Sequence, residues 1–145
     1  MNIEVNFVAV LLAGIVSMVA GFVYYSPAVL GKPWMKYMKY SADELKKEQK
    51  QMGKFYGISF VLSLVTAYVL YHVMVMSMNY FGNPGVTTGL MTAFWSWLGF
   101  VMPVQFTGVI FSKDHSSDAF KALAINTGYQ LVSLLLMGIV IGYLM

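Results

Sequence analysis

Three long stretches of this chain contain no Asp, Glu, Lys or Arg: Val5 to Tyr25, Phe55 to Ser112, and Ala122 to Met145. An apolar helix of about 20 residues crosses the hydrocarbon core of a bilayer. The first and last stretches each suit one crossing. The middle one is too long for one and is divided by Asn79-Tyr-Phe-Gly-Asn-Pro-Gly85, whose Asn-Pro-Gly is turn chemistry. The pattern predicts an all-α integral membrane protein, a single domain over 1–145, with four transmembrane helices at about 5–26, 55–79, 86–111 and 121–144.

The competing classes fail on composition. Charged residues make up 10% of the chain, against about 25% in soluble domains, so a soluble four-helix bundle would lack polar faces for its surface. Transmembrane barrel strands alternate and run only about 10 residues. The first stretch reads as a retained crossing and not as a cleaved signal peptide, since Glu4 stands where a basic segment would be needed. The chain has no cysteine, hence no disulfide, thiolate metal site or cysteine nucleophile. It has no arginine either, so forked phosphate recognition is missing and no nucleic-acid partner is expected.

Four crossings put both termini and the 79–85 turn on one side, and the 27–54 and 112–120 loops on the other. All nine lysines fall on the loop side: Lys32, Lys36, Lys39, Lys46, Lys47, Lys50, Lys54, Lys113 and Lys121. The positive-inside rule predicts cytoplasmic loops and external termini in a bacterial inner membrane. At the first boundary, Tyr24, Tyr25 and Trp34 suit the headgroup layer, Pro27 ends the helix, and residues 31–40 are expected to lie on the interface. Next, Ser41 with Glu44 three residues on is a capping-box pattern. It predicts a polar helix from about Ala42 that runs toward the second crossing and bends at Gly53 or Gly57. That helix reads as a solvated spacer, or as a docking handle or lipid-binding strip.

Taken in order, Gly21-Phe-Val-Tyr-Tyr-Ser-Pro-Ala-Val-Leu-Gly-Lys-Pro-Trp-Met-Lys36, the capped Ser41–Lys47 segment, Gly99–Phe111 and Ile125–Gly138 resemble the bacterial membrane family catalogued as domain of unknown function 1761. The resemblance covers nearly the whole chain. It implies a small four-helix inner-membrane protein and no activity, so no catalytic residue is carried over.

Several internal features add detail. Gly21-Phe-Val and Gly99-Phe-Val are each followed by a proline, Pro27 and Pro103, while Ile58-Ser59 and Leu64-Val65 echo Ile125-Asn126 and Leu131-Val132. This fits two parallel helical hairpins of the kind some transporters use, or chance similarity of apolar sequence. Small residues recur every four positions at Ala9, Ala13, Ser17 and Gly21, at Gly85, Gly89 and Ala93, and at Gly138 and Gly142; such ridges let helix backbones approach closely. Pro103 predicts a kink in the third crossing.

Polar side chains gather toward the lysine-bearing end: Tyr25, Tyr56, Ser59, Ser63, Gln105, Thr107, Asn126, Tyr129 and Gln130. They read as interhelical hydrogen bonding or as a polar cavity, with Gln105, Asn126, Gln130, Tyr129, Ser59 and Tyr25 as its candidate lining. His72 is the one ionisable side chain, tyrosines aside, deep in a crossing. Such a residue is a functional candidate, or a neutral ring satisfied by a carbonyl. Asp114, His115 and Asp118 form a short solvated turn and no metal site is expected. Nucleophile–base sets, phosphate loops and zinc patterns are all missing.

Three function classes follow. The leading expectation is a non-enzymatic helix-packing, lipid-binding or partner-binding protein that forms a homo-oligomer, contacts membrane lipids and uses no cofactor. The alternative is a small transporter or channel for a neutral or aromatic molecule, its ligand unidentified. An enzyme acting on a lipid-like substrate ranks last.

Overall fold

The computed structural model describes residues 4–83 and 85–145, with Ala42 and Leu45 as backbone only. Seven α-helices run α1 (Phe7–Tyr24), α2 (Gly31–Tyr37), α3 (Ala42–Gln49), α4 (Met52–Phe81), α5 (Val86–Ser96), α6 (Met102–Ile110) and α7 (Ser117–Leu144), with a π-helical turn at Trp97–Val101 joining α5 to α6. Among the described residues, four units are long and apolar enough to cross a membrane: α1, α4, the α5–π–α6 unit and α7. The four-helix expectation holds, and the described residues contain no strand.

α1 is stitched at both ends. The Asn6 side chain accepts from the Val8 and Ala9 amides at its start, and its own amide donates to Leu144 O at 3.1 Å, tying the first helix to the end of the last. At the far end, Gly31 N–H bonds Ser26 O at 2.9 Å, and a Cβ on Gly31 would strike the Tyr25 carbonyl. Only glycine lets α2 fold back this closely. α3 carries the expected capping box, with Glu44 N–H to Ser41 Oγ at 3.2 Å and Ser41 N–H to Glu44 Oε2 at 2.8 Å. The break before α4 differs from expectation. It falls at Lys50–Gln51, where Gln51 N–H closes on Glu48 O, and Gly53 and Gly57 lie inside α4. α4 ends on Gly82 in the left-handed region (φ 69°), a position glycine adopts at little cost. Pro84 of the sequence-predicted Asn-Pro-Gly turn lies outside the described residues.

α7 is the central element and packs on α5 and on α1. α1 also packs on α4, so each sequence hairpin is a spatial one, while α4 and α5 meet only slightly. Ala9, Ala13 and Ser17 are buried on the inner face of α1. On α5 and α7 the small residues meet each other. A Cβ on Gly138 would lie 2.5 Å from Gly89 O, and one on Gly142 2.7 Å from Gly85 O. The fully buried Met74, Met137 and Ile141 fill the bundle toward the chain termini.

Pro103 breaks the third crossing in a particular way. Its ring and missing N–H disturb the turn around Gly99. The helix widens just before it, so that Met102 N–H bonds Trp97 O, five residues back. Thr107 Oγ donates to Pro103 O at 2.8 Å.

Candidate functional site

At the lysine-bearing end, Asn126 of α7 collects two donors. Its Oδ1 accepts from Tyr25 Oη at 3.0 Å and from Trp34 Nε1 at 2.8 Å. Because both partners donate, that atom is the oxygen, and the amide NH2 points away from them. Tyr24 Oη donates to Ile125 O at 3.0 Å and Tyr129 Oη to Ser17 O at 3.2 Å. The rings pack edgewise or tilted: Tyr25 on Trp34 at 5.4 Å, Tyr25 on Tyr129 at 5.2 Å and Trp34 on Tyr40 at 5.5 Å. The Trp34 indole N–H turns inward onto Asn126, because an indole donor away from water needs an acceptor.

Two cavities flank this aromatic cluster. The first, about 420 Å³, lies between α2, α6 and α7 and is lined by Tyr37, Lys39, Gln105, Val109, Asp114 and Asn126, among others. Behind its wall, the buried Thr127 Oγ lies 3.1 Å from Gln105 Oε1 and 2.7 Å from Leu123 O. The threonine has a single proton to divide between them. Its mouth carries an exposed ion pair, Lys39 Nζ to Asp114 Oδ2 at 2.9 Å. The Asp114 carboxyl also accepts from Ser116 N–H at 2.9 Å. Hydrogen bonds from Ser116 and Lys39 hold it well below the usual carboxylate range, and Asp114 in turn raises Lys39.

Lys39 occupies an unusual backbone position. Its φ is 56°, and around it Lys39 N–H bonds Lys36 O while Tyr40 N–H bonds Met35 O. This is a Schellman closure of α2 with Lys39 where glycine is the usual residue. A side chain there costs about 1–2 kcal/mol. The left-handed turn aims the ammonium over the cavity mouth.

The second cavity lies between α1, α4 and α7 and has two lobes. One, about 250 Å³, is lined by Gly21, Phe22, Tyr25 and Tyr56. The other, about 210 Å³, reaches deeper and is lined by Ser17, Ser63, Gln130 and Ser133. Met18, Ser59 and Tyr129 line both. Asn126 and Gln105 therefore share one cavity, while Gln130, Tyr129, Ser59 and Tyr25 share the other.

The remaining candidates stand apart. His72 is half-buried, with Nδ1 2.8 Å from Tyr68 O and its ring 4.4 Å from that of Tyr68, as a locally satisfied ring would be. Among the described residues no cluster of three metal-ligating side chains occurs. Sequence reasoning missed Asn6, Lys39 as a helix-closing residue, and Ser133, whose Oγ meets Ser17 Oγ at 2.7 Å. It also missed Trp97, whose indole N–H bonds Thr127 O at 2.9 Å. Only Asn6, an N-cap residue type just before an apolar run, carried a readable signal.

Compared with known proteins, residues 8–142 match the family described as "Protein of unknown function (DUF1761)". No curated protein and no solved structure matches the chain.

Proposed function

The chain belongs to the DUF1761 family, which brings no described activity with it, and we propose that it is a non-enzymatic membrane protein that binds a glycerophospholipid at the cavity between α2, α6 and α7. The observation that carries this reading is Lys39. A lysine held in a left-handed turn where glycine would be cheaper (φ 56°) argues that its ammonium is needed at the mouth. One of its three donors goes to Asp114, and the others are available for a phosphate. Deeper in, the Asn126 amide NH2 suits an ester carbonyl, and Val109 and Leu123 offer apolar wall for the upper acyl chains. The nine lysines at this end support its facing the cytoplasm from a bacterial inner membrane. All three small-residue ridges are spent within the chain. Self-association would therefore use another face, and the wide groove beside Met91, Trp95 and Phe100 between α4 and α5 is the one this reading assigns to it.

Native mass spectrometry of the purified protein with added phospholipid tests the reading. Lys39→Gly should fold at least as stably as the wild type, since it relieves the left-handed strain, while retaining lipid at least fivefold less well. Equal lipid retention by a well-folded Lys39→Gly protein would contradict it.

A further inference from the structure

The two-lobed cleft between α1, α4 and α7 is separate from the lipid cavity and has a different chemistry. Its deep lobe holds hydroxyls whose protons are largely spent inside the protein. Ser63 Oγ donates to Phe60 O at 2.7 Å, Thr66 Oγ to Leu62 O at 3.0 Å, and Ser17 and Ser133 share a bond. Their oxygens are left as acceptors. Gln130 stands among them half-buried, and among the described residues no protein group bonds its amide. A side-chain amide at this depth in a bundle needs a partner, because the hydrocarbon around the helices offers none.

The shallower lobe is aromatic. Phe22 and Tyr56 meet edge to face at 5.0 Å, and Tyr25 packs on Tyr129 at 5.2 Å. Gly21 lets Tyr129 pack closely against α1 as a wall of this lobe, because a Cβ there would come within 2.9 Å of the Tyr129 hydroxyl. No Asp, Glu, Lys or His lines either lobe, so a charged ligand would lose its hydration without a counter-charge. Joined, the lobes reach the size at which small-molecule sites begin, about 300 Å³.

We propose that this cleft is a binding site for a small uncharged aromatic molecule bearing one group that both donates and accepts hydrogen bonds, with the ring between Phe22, Tyr56 and Tyr129 and the polar group on the Gln130 amide. The cleft is open along its α4 flank, where Ser59, Leu62 and Thr66 are exposed, and the ligand enters there. The fully buried Met74 and Ile141 fill the bundle beyond the deep lobe, so the cleft is a pocket with a floor.

Benzamide and isopropylbenzene, equal in the number and branching of their non-hydrogen atoms and differing in the amide, are the probes. The thermal midpoint of the purified full-length protein in detergent is titrated with each. Benzamide should raise it saturably, as a ligand specific to the folded state must, and isopropylbenzene should not. Gln130→Leu should weaken the benzamide effect at least tenfold. Ser59→Ala, on the exposed flank of α4 where folding is least at stake, should weaken it severalfold. Equal responses to the two probes, or an undiminished benzamide response in a folded Gln130→Leu or Ser59→Ala protein, would overturn the assignment. Lipid retention at the Lys39 cavity should be unchanged in both variants, so failure here leaves the lipid reading standing.

Discussion

Trp34 Nε1 donates to Asn126 Oδ1 across 2.8 Å, and this one bond joins the short folded-back α2 to the central α7. Tyr25 Oη uses the same oxygen at 3.0 Å, so a single amide holds three segments at one level of the bundle.

Replacing that amide strands two donors at once. Asn126→Leu should destabilise the protein by about 1–3 kcal/mol, more than the average of about 0.6 kcal/mol per polar pair in membranes, because both Tyr25 and Trp34 lose their acceptor. Trp34→Phe removes one donor and keeps most of the ring, so it should cost less than half as much. Reversible unfolding in mixed micelles measures both; equal costs would show that packing of the ring, and not the bond, is what matters.

The glycines divide into two kinds. Gly138→Ala places a methyl 2.5 Å from the Gly89 carbonyl, and backbone cannot move aside as a flexible side chain can. It should cost about 2–3 kcal/mol. Gly53 has nothing within 4 Å of an added Cβ and lies inside α4, so Gly53→Ala should stabilise by about 0.5–1 kcal/mol. The same unfolding assay reads both, and opposite signs are expected.

The coarse architecture was legible because it rests on long-range absences of charge: once Glu4, Lys54 and Lys121 bracket apolar runs, four helices follow. The capping box at Ser41 and the disturbance at Pro103 are local chemistry and were equally readable. The form taken at Pro103 was not. At the π-turn over 97–101 the Trp97 indole N–H reaches Thr127 O across helices, and the local sequence does not contain that partner. The site shows the same limit. Asn126 and Gln130 stand one turn apart on α7 and look like a single face, yet they line different cavities, because Tyr25 and Trp34 arrive from α1 and α2 to claim Asn126. Lys39 looked like one lysine among nine until the backbone showed its left-handed turn.

The Lys39–Asp114 tether should depend on pH at both extremes. Lowered below its ordinary 3.8, Asp114 contributes its interaction above that value and loses it as pH falls through the depressed folded value. Raised above its ordinary 10.5, Lys39 contributes below that value and loses its interaction as pH rises through the elevated one. Amide exchange at Ser116, which donates to Asp114, should stay slow across neutral pH relative to the intrinsic rate. It should lose protection in strong acid, and Asp114→Ala, which removes the acceptor, should lose it at all pH values.

The proposed orientation rests on the nine lysines. Cysteines introduced at Ser41 and Asn83 should label from opposite sides of the membrane, Asn83 from outside intact cells. Labelling of Asn83 only after the inner membrane is permeabilised would reverse the topology.

The most direct test of phospholipid binding is photo-cross-linking with a phospholipid carrying a diazirine close to its glycerol, followed by peptide mapping. Adducts are predicted on Tyr37–Lys39 and Gln105–Val109, and Lys39→Gly should remove them while leaving background labelling of the outer face of α1 unchanged. Adducts confined to exposed apolar residues such as Leu11 and Ile15, or undiminished labelling of the cavity in Lys39→Gly, would contradict it.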